Sequence, residues 1–218
     1  MRLFAFVLLI TSFNFMAHSE TTDWELEKEN SDLQLKIYTR EISGSELNEF
    51  KGEMVVETRL TALAALLLDS EAAPKWMHQC EKFEIIEQHD AKSAIVYFIN
   101  GAPWPVSDRD AVISSKMSQD PETLTLRFDI EAMADRLPED DDYVRIPKMS
   151  GFWSFSPLPE GQVKITYQVH AEPGGSLPSW LANSVVVDTP YYTLSNMADM
   201  LKLDKYQKSD IPFVKNSH

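Results

Sequence analysis

Pro103-Trp104-Pro105-Val106-Ser107-Asp108-Arg109-Asp110 is the stretch on which the reading of this 218-residue chain turns. Proline rings fix the backbone on either side of a large aromatic, so the loop can hold Trp104 outward at low entropic cost. Its second half is denser in polar groups than a connection needs; the simplest arrangement has Arg109 bridging two carboxylates while the aspartates cap turn amides. Strand-like runs flank the loop, 94–100 before it and 111–118 after it. Further out, 83–87, 124–130, 151–155 and 163–171 continue the pattern, with turn-forming links such as Asp120-Pro121 and Pro159-Glu160-Gly161. Strands in such close succession predict an antiparallel meander.

Toward the N-terminus, Leu33, Leu35 and Ile37 alternate with polar residues, and Phe50, Gly52, Met54 and Val56 do the same, which predicts two more half-buried strands. Thr22-Asp23 ahead of Trp24-Glu25-Leu26-Glu27-Lys28-Glu29 predicts a short capped helix. The alanine- and leucine-rich run 61–68 predicts a second helix, and Pro74-Lys75-Trp76 suits the first turn of a third. Toward the C-terminus, Gly174-Gly175-Ser176-Leu177-Pro178 reads as a turn into a long helix over 180–203. Pro190 removes a backbone donor and clashes with the preceding turn, so a kink or break is expected around 187–190. That helix carries Trp180, Leu181, Val185, Val186, Val187, Tyr191, Tyr192, Leu194, Met197, Met200 and Leu201, more apolar surface than the single stripe with which a helix lies on a sheet. Either it is sunk in core on several sides, or part of it faces a cavity that an apolar ligand fills.

With 44% hydrophobic and 25% charged residues, the composition is that of a globular domain rather than a disordered or polytopic membrane chain. Lys+Arg 20 against Asp+Glu 34 gives a formal charge of −14, so net charge draws the chain neither to nucleic acid nor to an anionic bilayer, and no nucleic-acid partner is expected. Glu139-Asp140-Asp141-Asp142 reads as a solvated acidic loop. Residues 1–19 differ in kind. Arg2 precedes an apolar stretch too short to span a bilayer, and Ala17-His18-Ser19 offers small residues at a cleavage site. The expectation is a signal peptide over 1–19, one domain over 20–210 and a flexible tail over 211–218, hence a periplasmic or secreted protein that is soluble after cleavage. Cys80 is the only cysteine, so an intramolecular disulfide is excluded and the apolar core must hold the fold by itself.

Motifs of catalysis are absent: no Gly-x-Ser-x-Gly, no phosphate-binding Gly-rich loop, no Gly-x-Gly-x-x-Gly. His78-x-Cys80 lacks a second ligand pair, so neither a metal nor a cofactor is expected. His170, with Glu172 two residues on, has the spacing of a base held by a carboxylate, and an inert strand-end histidine has the same appearance.

Three motifs then stand in order: Trp76, the Pro-Trp-Pro…Arg-Asp loop at 103–110, and Pro173-Gly174-Gly175-Ser176-Leu177-Pro178-Ser179-Trp180-Leu181. Together they resemble the START family (steroidogenic acute regulatory protein-related lipid transfer), over a region running from about Trp24 to Leu203. The resemblance implies an α+β helix-grip fold: a curved antiparallel sheet wrapped around the long C-terminal helix, enclosing an apolar tunnel for one lipid, with the Pro-Trp-Pro loop and that helix as the gate. It implies Trp76, Phe98, Trp104, Arg109, Ala111, Ile113, Phe128, Tyr167, Leu181, Val185 and Tyr192 as lipid-binding residues, none of them catalytic. The headgroup chemistry of known members does not carry over. The arginine–aspartate pair of the phosphatidylcholine carrier falls on Ala73 and Met77, two positions of its aromatic cage fall on Phe98 and Ala111, and the buried arginine of the sterol binders falls on Ser115.

Inward-facing strand positions read from the alternation are Val96, Phe98, Ala111, Ile113, Met117, Leu126, Phe128, Ile130, Ile165, Tyr167 and Val169, an apolar set suited to acyl chains. The expected ligand is a phospholipid, fatty acid or sterol-like molecule, bound by a monomer that touches membranes transiently through Trp104, Val106 and Trp180. Two rivals stay open. One is a helix-grip enzyme of the cyclase or aromatase kind using Tyr167, His170 or Arg109; the other is a lipid sensor.

Overall fold

Apolar–polar alternation becomes sheet over most of the chain. The computed structural model describes residues 23–45 and 47–217, without the side chains of Ser179, Trp180 and Asn183. The expected signal peptide at 1–19, the Thr22 cap and the Trp180 ring lie outside them. In chain order the elements are β1 (Glu25–Asn30), β2 (Leu35–Arg40), β3 (Glu49–Glu57), α1 (Leu60–Leu68), α2 (Ala73–Trp76), β4 (Cys80–Asp90), β5 (Ser93–Asn100), β6 (Arg109–Gln119), β7 (Leu126–Ala132), β8 (Val144–Arg145), β9 (Lys148–Pro157), β10 (Gln162–Glu172), α3 (Ser179–Met200) and α4 (Asp204–Gln207).

One sheet holds them in the order β1-β2-β3-β10-β9-β7-β6-β5-β4. The expected meander runs from β4 to β10, interrupted only by the two-residue β8, which pairs in parallel with the start of β6. β10 then returns beside β3, with Ile165 opposite Met54 and Tyr167 opposite Gly52. The sheet curves around α3 in the helix-grip arrangement. Gly52 shows how close the two layers come: a Cβ there would collide with Leu194 of α3 and press on Ile37. A glycine in mid-strand is weak strand material, and here it makes room for the helix. The deepest core lies between α3, α1 and the central strands, where Leu35, Ile37, Phe155, Ile165, Leu194 and Met197 are fully buried.

Three expectations fail, each for a tertiary reason. The segment 24–29, read as a capped helix, is strand β1, paired with β2 from Glu25 opposite Thr39 to Asn30 opposite Leu35. A helix of six residues is marginal by itself, whereas the open edge of β2 offers a full ladder of backbone partners. The break expected near Pro190 does not occur: α3 is one unbroken helix through a buried Pro190. Packing of its flanks on β2 and β3 holds the helix across the missing hydrogen bond. Finally, the tail expected to be flexible is docked. Val214 is buried, the Thr61 amide donates to Asn216 Oδ1 at 3.1 Å, and the Lys215 amide donates to Gln119 Oε1 at 2.9 Å.

Candidate functional site

The packing question posed by the last helix is answered by two adjacent stripes. Val186, Pro190, Leu194, Met197 and Leu201 are buried, and Val186, Leu194, Met197 and Leu201 belong to the main core. Leu181, Val185, Thr189 and Thr193, each one step of four residues apart, line a cavity instead. Helix α3 is therefore both core and cavity wall.

Under that second stripe lies one chamber, and a second adjoins it through shared walls without touching α3. The loop-side chamber has a volume of about 150 Å³ and runs from the base of the Pro-Trp-Pro loop, at Gly101 and Ala102, past Phe98, Arg109 and Tyr167 to α3. The hairpin-side chamber, of about 90 Å³, is bounded by Trp76, Phe128 and Trp153 and reaches the β4–β5 hairpin at Ala91 and Lys92. Met77, Phe83, Ile113 and Ile130 line both. Aromatic rings give these walls fixed shape: Tyr167 and Trp153 stack at 3.7 Å between centroids and 7° between planes, and Trp76 meets Trp153 edge-on at 5.9 Å. Burial pushes the Tyr167 phenol far above its ordinary pKa, so it stays a neutral hydroxyl.

The polar half of the loop is built differently from the sequence expectation. Arg109 does not bridge two carboxylates. Asp108 Oδ1 accepts from the Ala102 amide at 2.7 Å, which is the capping role expected of an aspartate here. Asp110 belongs to Arg145 of β8, whose Nε and Nη2 each donate to one of its carboxylate oxygens at 2.8 Å. Arg145 also donates to the carbonyls of Ala134, Leu137 and Pro138, and both partners are buried. The bonds from Asp110 raise the Arg145 pKa against the pull of burial. The pairing follows from topology: the parallel β6–β8 bridge sets Asp110 opposite Arg145. Among the described residues the side chain of Arg109, a residue 7% exposed, has one hydrogen bond, from Nη1 to the Ser107 carbonyl. Burial lowers its pKa while the charge of Asp108 raises it. Among the described residues, two buried side-chain polar atoms have no hydrogen-bond partner, Arg109 Nε and Trp76 Nε1. Both are donors, and each belongs to a residue that lines one of the chambers.

Sheet, gripped helix and cavity together are matched by a known family: a model of the START domain covers residues 8–202. This chain belongs to the START domain family. An uncharacterized protein of Pseudomonas aeruginosa is 34% identical over 191 residues, 88% of this chain and 93% of that one. The crystal structure of a STAR-related lipid transfer protein fragment from Xanthomonas axonopodis is 36% identical, with a TM-score of 0.75 over 83% of this chain and 99% of that one. Human StAR-related lipid transfer protein 5, at 18% identity, shares the fold, with a TM-score of 0.73 over 84% of this chain and 88% of that one.

Within this START domain, eight of the eleven residues singled out from the sequence stand in the chamber walls: Trp76, Phe98, Arg109, Ile113, Phe128, Tyr167, Leu181 and Val185. Three do not. Ala111 is fully buried between Val96, Phe98, Ile113 and Ile146, because its side chain is too short to reach past them. Trp104 is 91% exposed and stands outside the chambers, as its two prolines dictate. Tyr192 lies seven residues beyond Val185 and so nominally on its face. A cavity stripe of four-residue steps drifts by roughly 40° per step in a 3.6-residue helix. By that level Thr193 has become the wall, and Tyr192 sits outside, its ring 4.9 Å from that of His78 and from the Lys28 ammonium.

His170 is outside the walls as well. Its Nε2 is 3.0 Å from Ser45 Oγ, and Glu172 pairs with Lys148, so the base-and-carboxylate spacing forms no such pair. No group of three or more metal-ligating side chains occurs among the described residues. Of the residues that the sequence reading missed, two differ in how far they could have been found. Trp153 was legible from the same alternation that marks Phe155 on β9; Arg145, on a two-residue strand, carried no local signal.

Proposed function

We propose that this START domain binds one lipid in its internal cavity and carries it between membranes without catalysis, as an exported protein that is soluble once 1–19 is removed. One observation carries the reading: a mostly apolar chamber under the cavity stripe of α3 adjoins a second one, with stacked aromatics in their walls, next to a loop that presents Trp104 to the outside. Burying an acyl chain is worth about 0.8 kcal/mol per methylene against water. A lipid in a bilayer is already out of water, so transfer from membrane to pocket is close to neutral. The carrier's task is to lower the barrier of crossing water, which it does by opening while docked. With a net charge of −14, docking rests on Trp104 and Val106 at the interface rather than on charge attraction.

The test is native mass spectrometry with lipid extraction on protein purified without detergent. A stoichiometric added mass of one lipid class is expected. A clean apo mass that persists after incubation with phospholipid vesicles would overturn the reading. It would shift weight to an enzyme acting on a small hydrophobic substrate. Release of bound lipid to acceptor vesicles in the absence of any partner separates a carrier from a sensor.

A further inference from the structure

We propose that Arg109 is an oxyanion anchor, so that the lipid this cavity takes carries a carboxylate or phosphate at its polar end. The inference rests on the lipid-binding reading and names its ligand class. Arg109 opens β6 and faces a chamber whose other walls are mostly apolar. It is 7% exposed, and no carboxylate among the described residues lies within ion-pair distance of it. Of the two aspartates beside it in sequence, Asp110 is engaged with Arg145, and Asp108, whose Oδ1 accepts from the Ala102 amide, acts on Arg109 through its charge without a direct bond.

Buried polar groups are normally hydrogen-bonded, and a buried charge without a partner is costly. A lysine in this position could relieve the cost by losing its proton; a guanidinium stays charged. Its geometry indicates what is missing. Nη1 holds the Ser107 carbonyl and Nε has no partner. Nη2 is therefore the nitrogen left for a ligand, with the buried Nε joining it after a small shift of the side chain. Arg145, thirty-six residues on, grips the Asp110 carboxylate through the same edge, with both bonds at 2.8 Å. A planar fork of this kind matches two oxygens of a carboxylate or phosphate.

The surroundings extend the fit. Asn100 is the cross-strand partner of Arg109 and lines the same chamber, which places a neutral amide beside the cation. Below them Phe98 and Ile113 offer hydrophobic surface and Tyr167 a ring with an uncharged hydroxyl, and Ile113 continues into the second chamber. A quaternary ammonium at this end would meet a like charge. An acidic headgroup would complete the unpaired one.

Two matched pairs of probes test this on the full chain: palmitic acid against methyl palmitate, and dioleoyl phosphatidic acid against dioleoylglycerol. Each is offered to the wild type, Arg109→Gln and Arg109→Lys, with inorganic phosphate alone as a further arm. Expected is a preference of tenfold or more for the acidic member of at least one pair in the wild type, lost in Arg109→Gln and partly kept in Arg109→Lys. Arg109→Gln retains a hydrogen-bond donor for the Ser107 carbonyl and removes an unpaired charge, so the apo variant should melt no lower than the wild type. Should it fail to fold, Arg109→Lys still decides, since an ammonium keeps the charge but has no fork and must reduce the preference. Phosphate bound as tightly as the acidic lipids, and dependent on Arg109, would assign the oxyanion site to a free anion instead of a headgroup. Equal binding of acidic and neutral members by the wild type, or an undiminished preference in Arg109→Gln, would overturn the anchor while leaving a lipid carrier. Failure of all four lipids to bind would refute the lipid reading itself.

Discussion

Replacing Asp110 by alanine should be among the most damaging single changes in this protein, while changing its neighbour Arg109 to glutamine should be harmless to the empty fold. Asp110 and Arg145 are 1% and 4% exposed in their side chains and are joined by two bonds of 2.8 Å. Removing the carboxylate leaves a buried guanidinium with three carbonyl partners and no counter-charge. Breaking one side of a buried ion pair costs about 3–5 kcal/mol. In a domain of 150–250 residues each kcal/mol lowers the melting temperature by about 2–4 °C, so the fall is on the order of 6–20 °C. Asp110→Asn keeps one acceptor and should fall by less. Thermal and urea unfolding followed by circular dichroism measure the difference. The exposed pair Asp199–Lys202, at 75% and 71% side-chain exposure, is the control, and Asp199→Ala should produce no measurable shift. An Asp110→Ala variant within about 1 kcal/mol of wild type would refute the claim that this ion pair holds β8 against β6.

Trp104→Ala should slow lipid transfer between vesicles several-fold while leaving the lipid content of the purified protein nearly unchanged; an unaltered rate in a fluorescence transfer assay would remove Trp104 from the gate. Cys80 is buried and its thiol is pushed up to about 11 from 9.0, mainly by burial, so its thiolate fraction at pH 8 is about a hundredfold below that of an ordinary cysteine. Iodoacetamide labelling should accordingly be slow until the protein unfolds, and stoichiometric labelling of the native protein within minutes would contradict that burial. Asp69 is raised by burial but brought below its ordinary 3.8 overall by hydrogen bonds from Lys205 and Tyr206. A depressed carboxylate stabilises the fold above its unfolded value, and the gain is lost as pH falls through the folded one. Asp69→Asn should therefore lower stability at neutral pH and flatten its decline below pH 3.8, measured as urea midpoints across pH; parallel curves for the two proteins would rule this linkage out.

Eight strands, α1, α2 and α3 were all legible in the sequence to within a few residues, because side-chain period is a local property that a buried face imposes on every position of an element. Most of the cavity wall was legible for the same reason, as Phe98, Ile113, Phe128 and Tyr167 share one strand face. The failures fall where local preference is weak or where a partner is far away. Six residues at 25–30 have no decisive preference of their own, and the free edge of β2 decides that they are strand β1. Pro190 carries a local penalty that packing on both flanks overrides. The tail at 211–217 docks because Thr61 and Gln119, remote in sequence, provide its partners.

By itself the sequence determined the sheet, the gripped helix and the family, since each is written in periodicity or in a compact motif around 103–110 and 173–181. Only the tertiary structure decided the chemistry of the site. Asp108, Arg109 and Asp110 are consecutive, and nothing in their order says which carboxylate holds which cation. The parallel bridge between β6 and β8 brings Arg145 to Asp110, and that one contact, made across 35 residues, leaves Arg109 lining the cavity with no carboxylate among the described residues in ion-pair contact.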